Sequence, residues 1–370
     1  MKVLIATGIY PPQIGGPATH AKLLYDELPG RGIDADVVSF GDYLQRLKVI
    51  RHFLYFLELV RRAPDADVIY ALDPVSVGLP ALLASQIRGK RFILRIAGDY
   101  AWEQGVQRFG VTDTLDDFVI ACGGHRLQVR LLKKIEKYVA DGAEKIIAPS
   151  GYLKNIISAW GVSPEKIKVV YNGFHTGHVR ETPRALRKKL RLSGNVIVSV
   201  GRLVQWKGMK ELIEIMPRVI ASVPDAKLVV VGDGPEKNNL EETIRALDLG
   251  NTVTLAGRLA REKVFEYVKA ADLFVLNTSY EGFSHQVVET MALGTPVITT
   301  AVGGNPENVR DGKNGILVPP RAKDSLLEAI ISLLMDQKRA ENLAKTAKKD
   351  VGRFSDEVML SQISEELKKN

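Results

Sequence analysis

Short runs of β-branched and other apolar residues alternate with longer segments of helical periodicity along the whole sequence. This alternation constrains the fold more than any other feature, because strands that alternate with helices form parallel sheets with crossover connections. The runs fall into two sets of six. Since a chain of 370 residues exceeds the size at which one hydrophobic core usually stops growing, each set is predicted to form its own Rossmann-like α/β domain.

The predicted strands are separated by turn-forming and charged residues. Those of the first set span residues 3–7, 35–40, 68–72, 91–97, 145–148 and 168–171. Those of the second set span residues 195–200, 226–231, 252–256, 272–277, 296–299 and 315–318. A charged segment containing Pro183 lies between the sets and indicates a domain boundary near residue 185. The predicted domains are therefore 1–185 and 186–354, and residues 355–370 are predicted to form a helix that crosses back onto the first domain.

The charge balance and the single cysteine limit the partners and the compartment. Lys and Arg outnumber Asp and Glu by 51 to 43, and the net charge of +8 favours anionic partners. Cys122 excludes an internal disulfide and a cysteine-based zinc site, and we interpret it as a small core residue. The apolar run after Met1 is too short for a signal peptide, and no apolar stretch approaches the roughly 20 residues of a membrane span. We expect a cytoplasmic protein, free or attached to the inner face of a membrane.

The segment from Glu281 to Glu289 is the strongest candidate for a functional site. It follows a predicted strand and opens a helix, and ligands of open α/β sheets bind at the carboxyl ends of strands. Each carboxylate can accept two hydroxyl hydrogen bonds, which suits the diols of a ribose or a hexose. The backbone amides of Gly282, Phe283 and Ser284 suit an anionic or polyhydroxylated ligand at the positive end of the helix. The alternative is a capping glutamate followed by a surface glutamate.

Two cations lie on another strand-to-helix turn. Arg202 presents a bidentate fork and Lys207 a compact point charge, so the pair could converge on one diphosphate. The alternative is two solvated surface cations. A third turn follows the first strand, where Gly15 and Gly16 permit close approach of the backbone to a ligand, although many such turns use glycine for geometry alone.

These segments together resemble the GT-B glycosyltransferases of the large retaining group known as family 4. The resemblance extends over essentially the whole chain. It rests on Gly15-Gly16, Pro149-Ser150, Asn172-Gly173, Gly201-Arg202 with Lys207-Gly208, Glu281 with Glu289, and Gly303-Gly304 followed by Glu307, Asp311-Gly312 and Gly315. It implies two Rossmann-like domains that face each other across a cleft, with the nucleotide sugar held mainly by the second.

The resemblance also implies roles for the candidate residues. Arg202 and Lys207 would bind the donor diphosphate, and Glu289 the ribose. Glu281 would bind the transferred sugar, helped by the amides of residues 282–284. The implied reaction retains the anomeric configuration by front-side attack, in which the leaving phosphate takes the proton of the acceptor.

One loop departs from the family pattern. Many members carry a histidine after the fourth strand, near the reacting sugar, whereas this chain has Ala97-Gly98-Asp99. We predict that Asp99 replaces it, by binding a sugar hydroxyl or stabilising the developing positive charge. The alternative is a helix N-cap.

Neither a metal nor another cofactor is expected. Residues 34–36 and 65–67 match the Asp-x-Asp pattern of metal-using transferases, but each leads into a predicted strand, at the end opposite to the ligand-binding edge. Arg202 and Lys207 can supply the positive charge that a metal ion would supply.

The predicted acceptor is a glycan, in particular a lipid-linked glycan used in the synthesis of cell-surface polysaccharide, as for many relatives. Two basic amphipathic segments in the first domain, residues 44–62 and 126–137, suit an anionic membrane surface. The alternative is a solvated basic face over an ordinary core face. The nucleotide of the donor, UDP or GDP, stays open at this point.

Other functions remain as alternatives. A non-hydrolysing nucleotide-sugar epimerase has a similar architecture, and a two-domain solute-binding protein would require an export signal. A dehydrogenase is disfavoured because the first turn lacks Gly-x-Gly-x-x-Gly and no acidic residue ends the second strand. Nucleic-acid binding has no recognisable motif to support it.

Overall fold

The computed structural model describes residues 1–13, 15–121, 123–174 and 179–369, with Lys48 and Val49 described by their backbone alone. Cys122, interpreted above as a core residue, lies outside the described residues. The chain divides into two units: Met1–Tyr171 with Glu357–Asn370, and Asn172–Asp356.

The first unit is built on a six-stranded parallel sheet. Its strands are β1 Lys2–Thr7, β2 Asp34–Ser39, β3 Val68–Ala71, β4 Arg91–Arg95, β5 Lys145–Ala148 and β6 Ile167–Val169. Its first helices are α1 Gly16–Glu27, α2 Lys48–Arg62, α3 Gly78–Arg88, α4 Tyr100–Arg108, α5 Leu115–Ile120, α6 Leu127–Gly142 and α7 Gly151–Ala159. The strands lie in the order β2-β1-β3-β4-β5-β6.

The second unit repeats this plan with a different strand order. Its strands are β7 Asn195–Val200, β8 Ala226–Val231, β9 Val253–Gly257, β10 Leu273–Leu276, β11 Val297–Thr300 and β12 Ile316–Val318. Its helices are α8 Pro183–Leu190, α9 Met209–Ser222, α10 Lys237–Ala246, α11 Arg261–Ala270, α12 His285–Leu293, α13 Asn305–Asn308, α14 Lys323–Met335 and α15 Gln337–Asp350. The order is β12-β11-β10-β7-β8-β9, and every pairing is parallel.

The prediction of two six-stranded parallel sheets is confirmed, and β5, β7 and β8 have the predicted bounds. The strands are largely apolar because both faces of a parallel sheet are covered by helices. On β1, for example, Leu4 and Ala6 belong to one core cluster, whereas Val3 and Ile5 belong to the cluster on the opposite face.

The chain passes from the first unit to the second after Tyr171, upstream of the boundary near residue 185 indicated by composition. Packing explains the difference, because α8 belongs to the second unit. Leu186 is fully buried there, and Arg187 pairs with Asp272 at 2.8 Å.

The last helix, α16 Asp356–Lys368, packs in the first unit. Met359, Ile363 and Leu367 are buried in the cluster that contains Val3 and Ile5. Among the described residues, no helix is both long enough and apolar enough to cross a membrane.

Candidate active site

The strand order of the second unit indicates where on the sheet a ligand would bind. The chain adds β8 and β9 on one side of β7 and then returns to add β10 on the other side. Loops that follow the two strands at such a switch point diverge and leave a crevice. The loop after β7 carries Arg202 and Lys207, and the loop after β10 carries Glu281 to Ser284. The fold therefore brings together two segments that the sequence analysis had selected independently.

Hydrogen bonds join these two loops. Thr278 Oγ1 donates to the carbonyl oxygen of Trp206 at 2.9 Å, and the Ser279 amide donates to the same oxygen at 2.7 Å. Asn277 Nδ2 donates to the Gly208 carbonyl at 3.2 Å. Gly208 has a φ of +61°, and a Cβ there would lie 1.9 Å from the Asn277 carbonyl oxygen. Only glycine permits this approach, so the position of Lys207 is fixed by the backbone of the neighbouring loop.

The loop after β11 supports the same segment. The Gly304 amide donates to the Glu281 carbonyl at 2.9 Å. Gly303, with φ +53°, packs so closely that a Cβ would lie 2.0 Å from that carbonyl oxygen. The Gly303-Gly304 pair therefore holds the backbone of Glu281 in place.

The central feature of the edge is an ion pair between Lys207 and Glu281. Lys207 Nζ lies 2.5 Å from Glu281 Oε2, and the side chains are only 12% and 10% exposed. Arg202 lies on the same loop as Lys207, and its side chain is exposed. Among the described residues it has no ion-pair partner. The edge therefore presents one cation already paired with a carboxylate and one cation open to solvent.

The residues between Glu281 and α12 are packed rather than exposed. Ser284 is fully buried and caps α12, because its Oγ accepts a hydrogen bond from the Val287 amide at 3.3 Å. The Phe283 ring is 6% exposed and packs edge-on against the rings of His285 and Phe354, with centroids 5.7 and 5.6 Å away. Gly282 is buried between Glu281 and Phe283. Phe283 thus anchors the turn to the core of the unit.

Glu289 lies one turn into α12 and pairs with a residue that the sequence analysis did not select. Its Oε1 accepts a hydrogen bond from Arg261 Nη2 at 2.6 Å. Arg261 begins α11, at the same edge of the sheet, and its guanidinium stacks on Phe265 at 5.3 Å. Burial raises the pKa of the Glu289 carboxyl, and Arg261 acts in the opposite direction. The two glutamates therefore have different cationic partners.

The short segment Val351–Phe354, which follows α15, contacts the turn formed by residues 281–284. Phe354 is 1% exposed, and its second ring contact is the guanidinium of Arg353 at 4.4 Å. Arg353 Nη2 also donates to the Glu307 carbonyl. His285, the first residue of α12, also lies with its Nε2 3.0 Å from Asn172 Nδ2.

The glycine turn of the first unit lies at its own switch point, after β1 and beside β3. Gly15 is the N-cap of α1 and Gly16 its first residue, and no side chain caps this helix. A Cβ at Gly15 would lie 2.9 Å from Ile9 Cδ1, whereas a Cβ at Gly16 would meet nothing within 4 Å. Packing therefore explains the glycine at 15 and leaves the glycine at 16 unexplained.

Asp99 is the N-cap of α4, as the alternative interpretation expected. Oδ1 accepts a hydrogen bond from the Trp102 amide at 2.7 Å, and Oδ2 accepts one from Trp160 Nε1 at 3.2 Å. The residue is 1% exposed, and burial raises the pKa of its carboxyl to about 6. Glu136, equally buried, accepts hydrogen bonds from the first two amides of the helix, those of Tyr100 and Ala101. Both oxygens of Asp99 thus accept hydrogen bonds inside the unit, and its contact with a sugar stays a prediction.

The two Asp-x-Asp segments lie at the amino ends of strands, as expected. Asp36 pairs with Arg62 at 3.0 Å, and Asp67 accepts a hydrogen bond from the Lys2 amide at 2.8 Å. Within the part of the chain that the structure describes, no group of three or more His, Cys, Asp or Glu side chains could hold a metal ion.

Comparison with known families identifies the class of protein to which the chain belongs. The model for glycosyl transferases group 1 matches residues 183–350, and the model for glycosyltransferase family 4 matches residues 14–178. Each half of the chain is thus matched by one model, and the first match covers the whole Lys207–Glu281 edge. The chain is a GT-B glycosyltransferase of group 1. It is accordingly a nucleotide-sugar-dependent glycosyltransferase, and not an epimerase or a solute-binding protein.

Individual proteins similar to this glycosyltransferase are consistent with the family assignment. An uncharacterized glycosyltransferase of Methanocaldococcus jannaschii is 28% identical, over 95% of this chain and 93% of its own length. A GDP-mannose-dependent alpha-(1-6)-phosphatidylinositol monomannoside mannosyltransferase of Mycobacterium tuberculosis is 29% identical, over 92% of this chain and 90% of its own. Among solved structures, Anabaena HepE in complex with UDP-glucose has the same fold, with a TM-score of 0.79, 23% identity and 99% of each chain covered.

The sequence analysis of the glycosyltransferase missed Arg261 and Phe354. Arg261 could have been found by extending the search to every turn at the carboxyl edge, because it begins the helix after β9. Phe354 follows the last helix of the second unit, and nothing in the local pattern indicates that its ring reaches Phe283.

Proposed function

We propose that this glycosyltransferase moves a sugar from a UDP- or GDP-linked donor to a hydroxyl of a lipid-linked glycan, with retention of the anomeric configuration. The observation that carries the proposal is the Lys207–Glu281 ion pair at the switch point of the second unit, beside the exposed Arg202. This arrangement places positive charge next to a carboxylate, and a sugar diphosphate requires both.

The donor would be held by residues of one sheet edge. A lysine ammonium has three N–H donors, so Lys207 can keep its bond to Glu281 and still bind a phosphate oxygen. Arg202 would bind the diphosphate as a bidentate partner. Glu289 would accept hydrogen bonds from the ribose, held in position by Arg261. Glu281 would accept hydrogen bonds from the hydroxyls of the transferred sugar.

The chemistry would need no protein nucleophile and no metal. The acceptor oxygen attacks the anomeric carbon from the face that the leaving group occupies, while the bond between that carbon and the diphosphate oxygen breaks. The proton of the acceptor hydroxyl passes to the departing phosphate. Arg202 and Lys207 stabilise the negative charge on the leaving group, and Glu281 stabilises the positive charge on the sugar ring.

The names of two similar proteins support this range of substrates. The mycobacterial relative uses GDP-mannose and a phosphatidylinositol monomannoside, which is a lipid acceptor. A relative of Rhizobium meliloti, 31% identical over 52% of this chain, is a lipopolysaccharide core biosynthesis glycosyltransferase. We therefore propose an enzyme of cell-surface glycan synthesis that works at the cytoplasmic face of a membrane.

A nucleotide screen tests the donor. Thermal unfolding is measured with UDP, GDP and ADP, and then with the sugars of the nucleotide that stabilises. A ligand at 100 times its dissociation constant should add roughly 2.7 kcal/mol to the free energy of unfolding. Arg261→Ala should weaken binding of that nucleotide, because Glu289 loses the cation that orients it. No stabilisation by any nucleoside diphosphate would refute the proposal.

Product analysis tests the reaction. With the identified donor and a polyprenyl-diphosphate glycan, the anomeric configuration of the new bond is read by proton NMR. Transfer with retention, unchanged by excess chelator, is expected. An inverted product would refute the proposed mechanism, and loss of activity that Mg²⁺ or Mn²⁺ restores would refute metal independence.

A further inference from the structure

Three helices of the first unit form one layer. Their inward side chains belong to the same core cluster, including Tyr55 and Leu59 of α2, Ala81 and Leu82 of α3, and Val139 and Ala140 of α6. Arg88 at the end of α3 donates to the Val60 carbonyl of α2 at 3.0 Å, and a Cβ at Gly142 of α6 would lie 2.8 Å from Leu82. Since all three cover one face of the sheet, their outer sides face away from it together.

The outer side of α2 is apolar. Ile50, Phe53 and Leu57 are 46, 58 and 43% exposed, although they lie on the side of the helix opposite to the buried Tyr55 and Leu59. A surface helix normally carries polar residues on that side. Single exposed apolar residues need no explanation, but a row at helical spacing indicates an interaction surface.

The neighbouring helices extend this row. On α3, Leu83 and Ile87 are 36 and 60% exposed. On α6, Leu127, Leu131 and Tyr138 recur on one side and are 76, 55 and 49% exposed. We call these residues and the three of α2 the outer face. All three helices of the layer contribute residues to the outer face. Chance exposure of apolar residues on a single helix would not produce this distribution.

The charges beside the outer face are positive. Arg126, Arg130 and Lys134 are exposed between the N-cap and the middle of α6, and Arg46 is exposed just before α2. The carboxylates that α2 and α6 carry outside the core are paired. Asp141 lies 3.1 Å from Lys137, and Glu58 bonds to Arg61 and Arg62, which lowers the pKa of its carboxyl to about 2. These two carboxylates are therefore already engaged by other cations and do not neutralise Arg126, Arg130 and Lys134.

Apolar side chains flanked by cations fit one kind of partner. A second copy of this chain would bring the same cations against one another, and like charges across an interface are unfavourable. An anionic bilayer offers negative head groups to the cations and an apolar interior to the Ile, Leu and Phe side chains. The aromatic rings of Phe53 and Tyr138 suit the boundary between the two.

We propose that α2, α3 and α6 form a docking face for an anionic lipid bilayer. The apolar side chains of the outer face enter the boundary between head groups and acyl chains, and Arg126, Arg130 and Lys134 contact lipid phosphates. The inference does not depend on the sugar chemistry, because it concerns the first unit alone and requires neither donor nor acceptor.

Vesicle sedimentation without substrates tests the proposal. The full chain should bind vesicles of phosphatidylcholine with phosphatidylglycerol and bind pure phosphatidylcholine vesicles much more weakly. Since each cation near an anionic surface contributes about 1 kcal/mol, or roughly fivefold, the triple variant R126Q/R130Q/K134Q should bind about a hundredfold more weakly. The triple variant I50S/F53S/L57S should lose roughly tenfold or more on the same vesicles.

Matched controls lie in the second unit. Lys338, Lys345 and Lys349 are exposed lysines of α15, and their replacement by Gln removes the same charge. Met335 is 72% exposed, and M335S removes one apolar side chain that is more exposed than any of the three of α2. Both controls should bind vesicles as the unmodified protein does. Nucleotide binding should be unchanged in every variant, which separates a failure here from a failure of the proposed donor site.

Three results would overturn the proposal. The first is equal binding to neutral and anionic vesicles. The second is an equal loss of binding in the α15 control and the α6 variant. The third is concentration-dependent self-association that I50S/F53S/L57S abolishes while vesicle binding stays the same, which would assign the outer face to a second copy of the chain.

Discussion

The ion pair between Lys207 and Glu281 allows a quantitative test of the site. At 2.5 Å, and with an effective dielectric constant of about 20, the Coulomb attraction amounts to about 7 kcal/mol. Most of this is offset by the desolvation of two side chains that are only 12% and 10% exposed. Lys207→Ala removes the attraction but leaves the desolvated carboxylate, so we expect the free energy of unfolding to fall by roughly 3 kcal/mol.

Removing both charges should be less harmful than the single changes suggest. In the double variant K207A/E281Q no unpaired carboxylate remains, so the combined loss should be smaller than the sum by about 1 to 2 kcal/mol. Chemical denaturation of the four proteins of the cycle measures this difference. Lys323→Ala is the control, because Lys323 pairs with Glu214 at 2.6 Å on the surface and should contribute less than about 1 kcal/mol.

The same cycle has a kinetic arm. Loss of one preorganised electrostatic contact to the leaving diphosphate should cost about 2 to 4 kcal/mol of transition-state stabilisation in Lys207→Ala, that is, a fall of roughly 30- to 1000-fold in kcat/KM. Glu281→Gln should lose activity and should also lose stability, because the Lys207 ammonium stays desolvated without its carboxylate partner. Strictly additive losses of stability, or a Lys207→Ala enzyme with normal kcat/KM, would refute the reasoning.

Further predictions concern the other candidate residues. Glu289→Gln should weaken binding of the bare nucleoside diphosphate and raise KM, whereas Glu281→Gln should lower kcat and leave that binding largely intact; calorimetry paired with kinetics would reveal the reverse assignment. Gly16→Ala should fold normally, since a Cβ there meets nothing within 4 Å. If the backbone at Gly16 approaches a substrate, the variant should lose activity, and full activity would exclude that contact. Burial raises the pKa of Asp99 to about 6 and raises the pKa of the neighbouring Glu136 as well, so the folded protein binds more protons than the unfolded chain above about pH 4, and the pair makes stability fall as pH rises. Asp99→Asn should flatten this slope in denaturation curves at several pH values, and an unchanged slope would contradict the assignment.

Local patterns were sufficient to predict the strands and the turns that carry the site. β7 and β8 have the predicted bounds because a largely apolar run between turn-forming residues is recognisable without its neighbours. The same local chemistry indicated that Arg202, Lys207, Glu281 and Ser284 lie on strand-to-helix turns. Local patterns could not distinguish between the two roles considered for Asp99. An aspartate that caps a helix and an aspartate that binds a ligand have the same sequence context.

The sequence by itself therefore determined the fold class, the number of strands and the edge on which the candidate residues lie. Tertiary structure alone decided the strand orders, which differ between β2-β1-β3 in the first sheet and β8-β7-β10 in the second although both arise from the same alternation. It also decided the partners: Lys207 meets Glu281 across 74 residues, and Arg261 meets Glu289 across 28. The physical reason is that periodicity encodes only which face of an element is buried. The neighbour that covers this face is selected by packing between segments far apart in the chain.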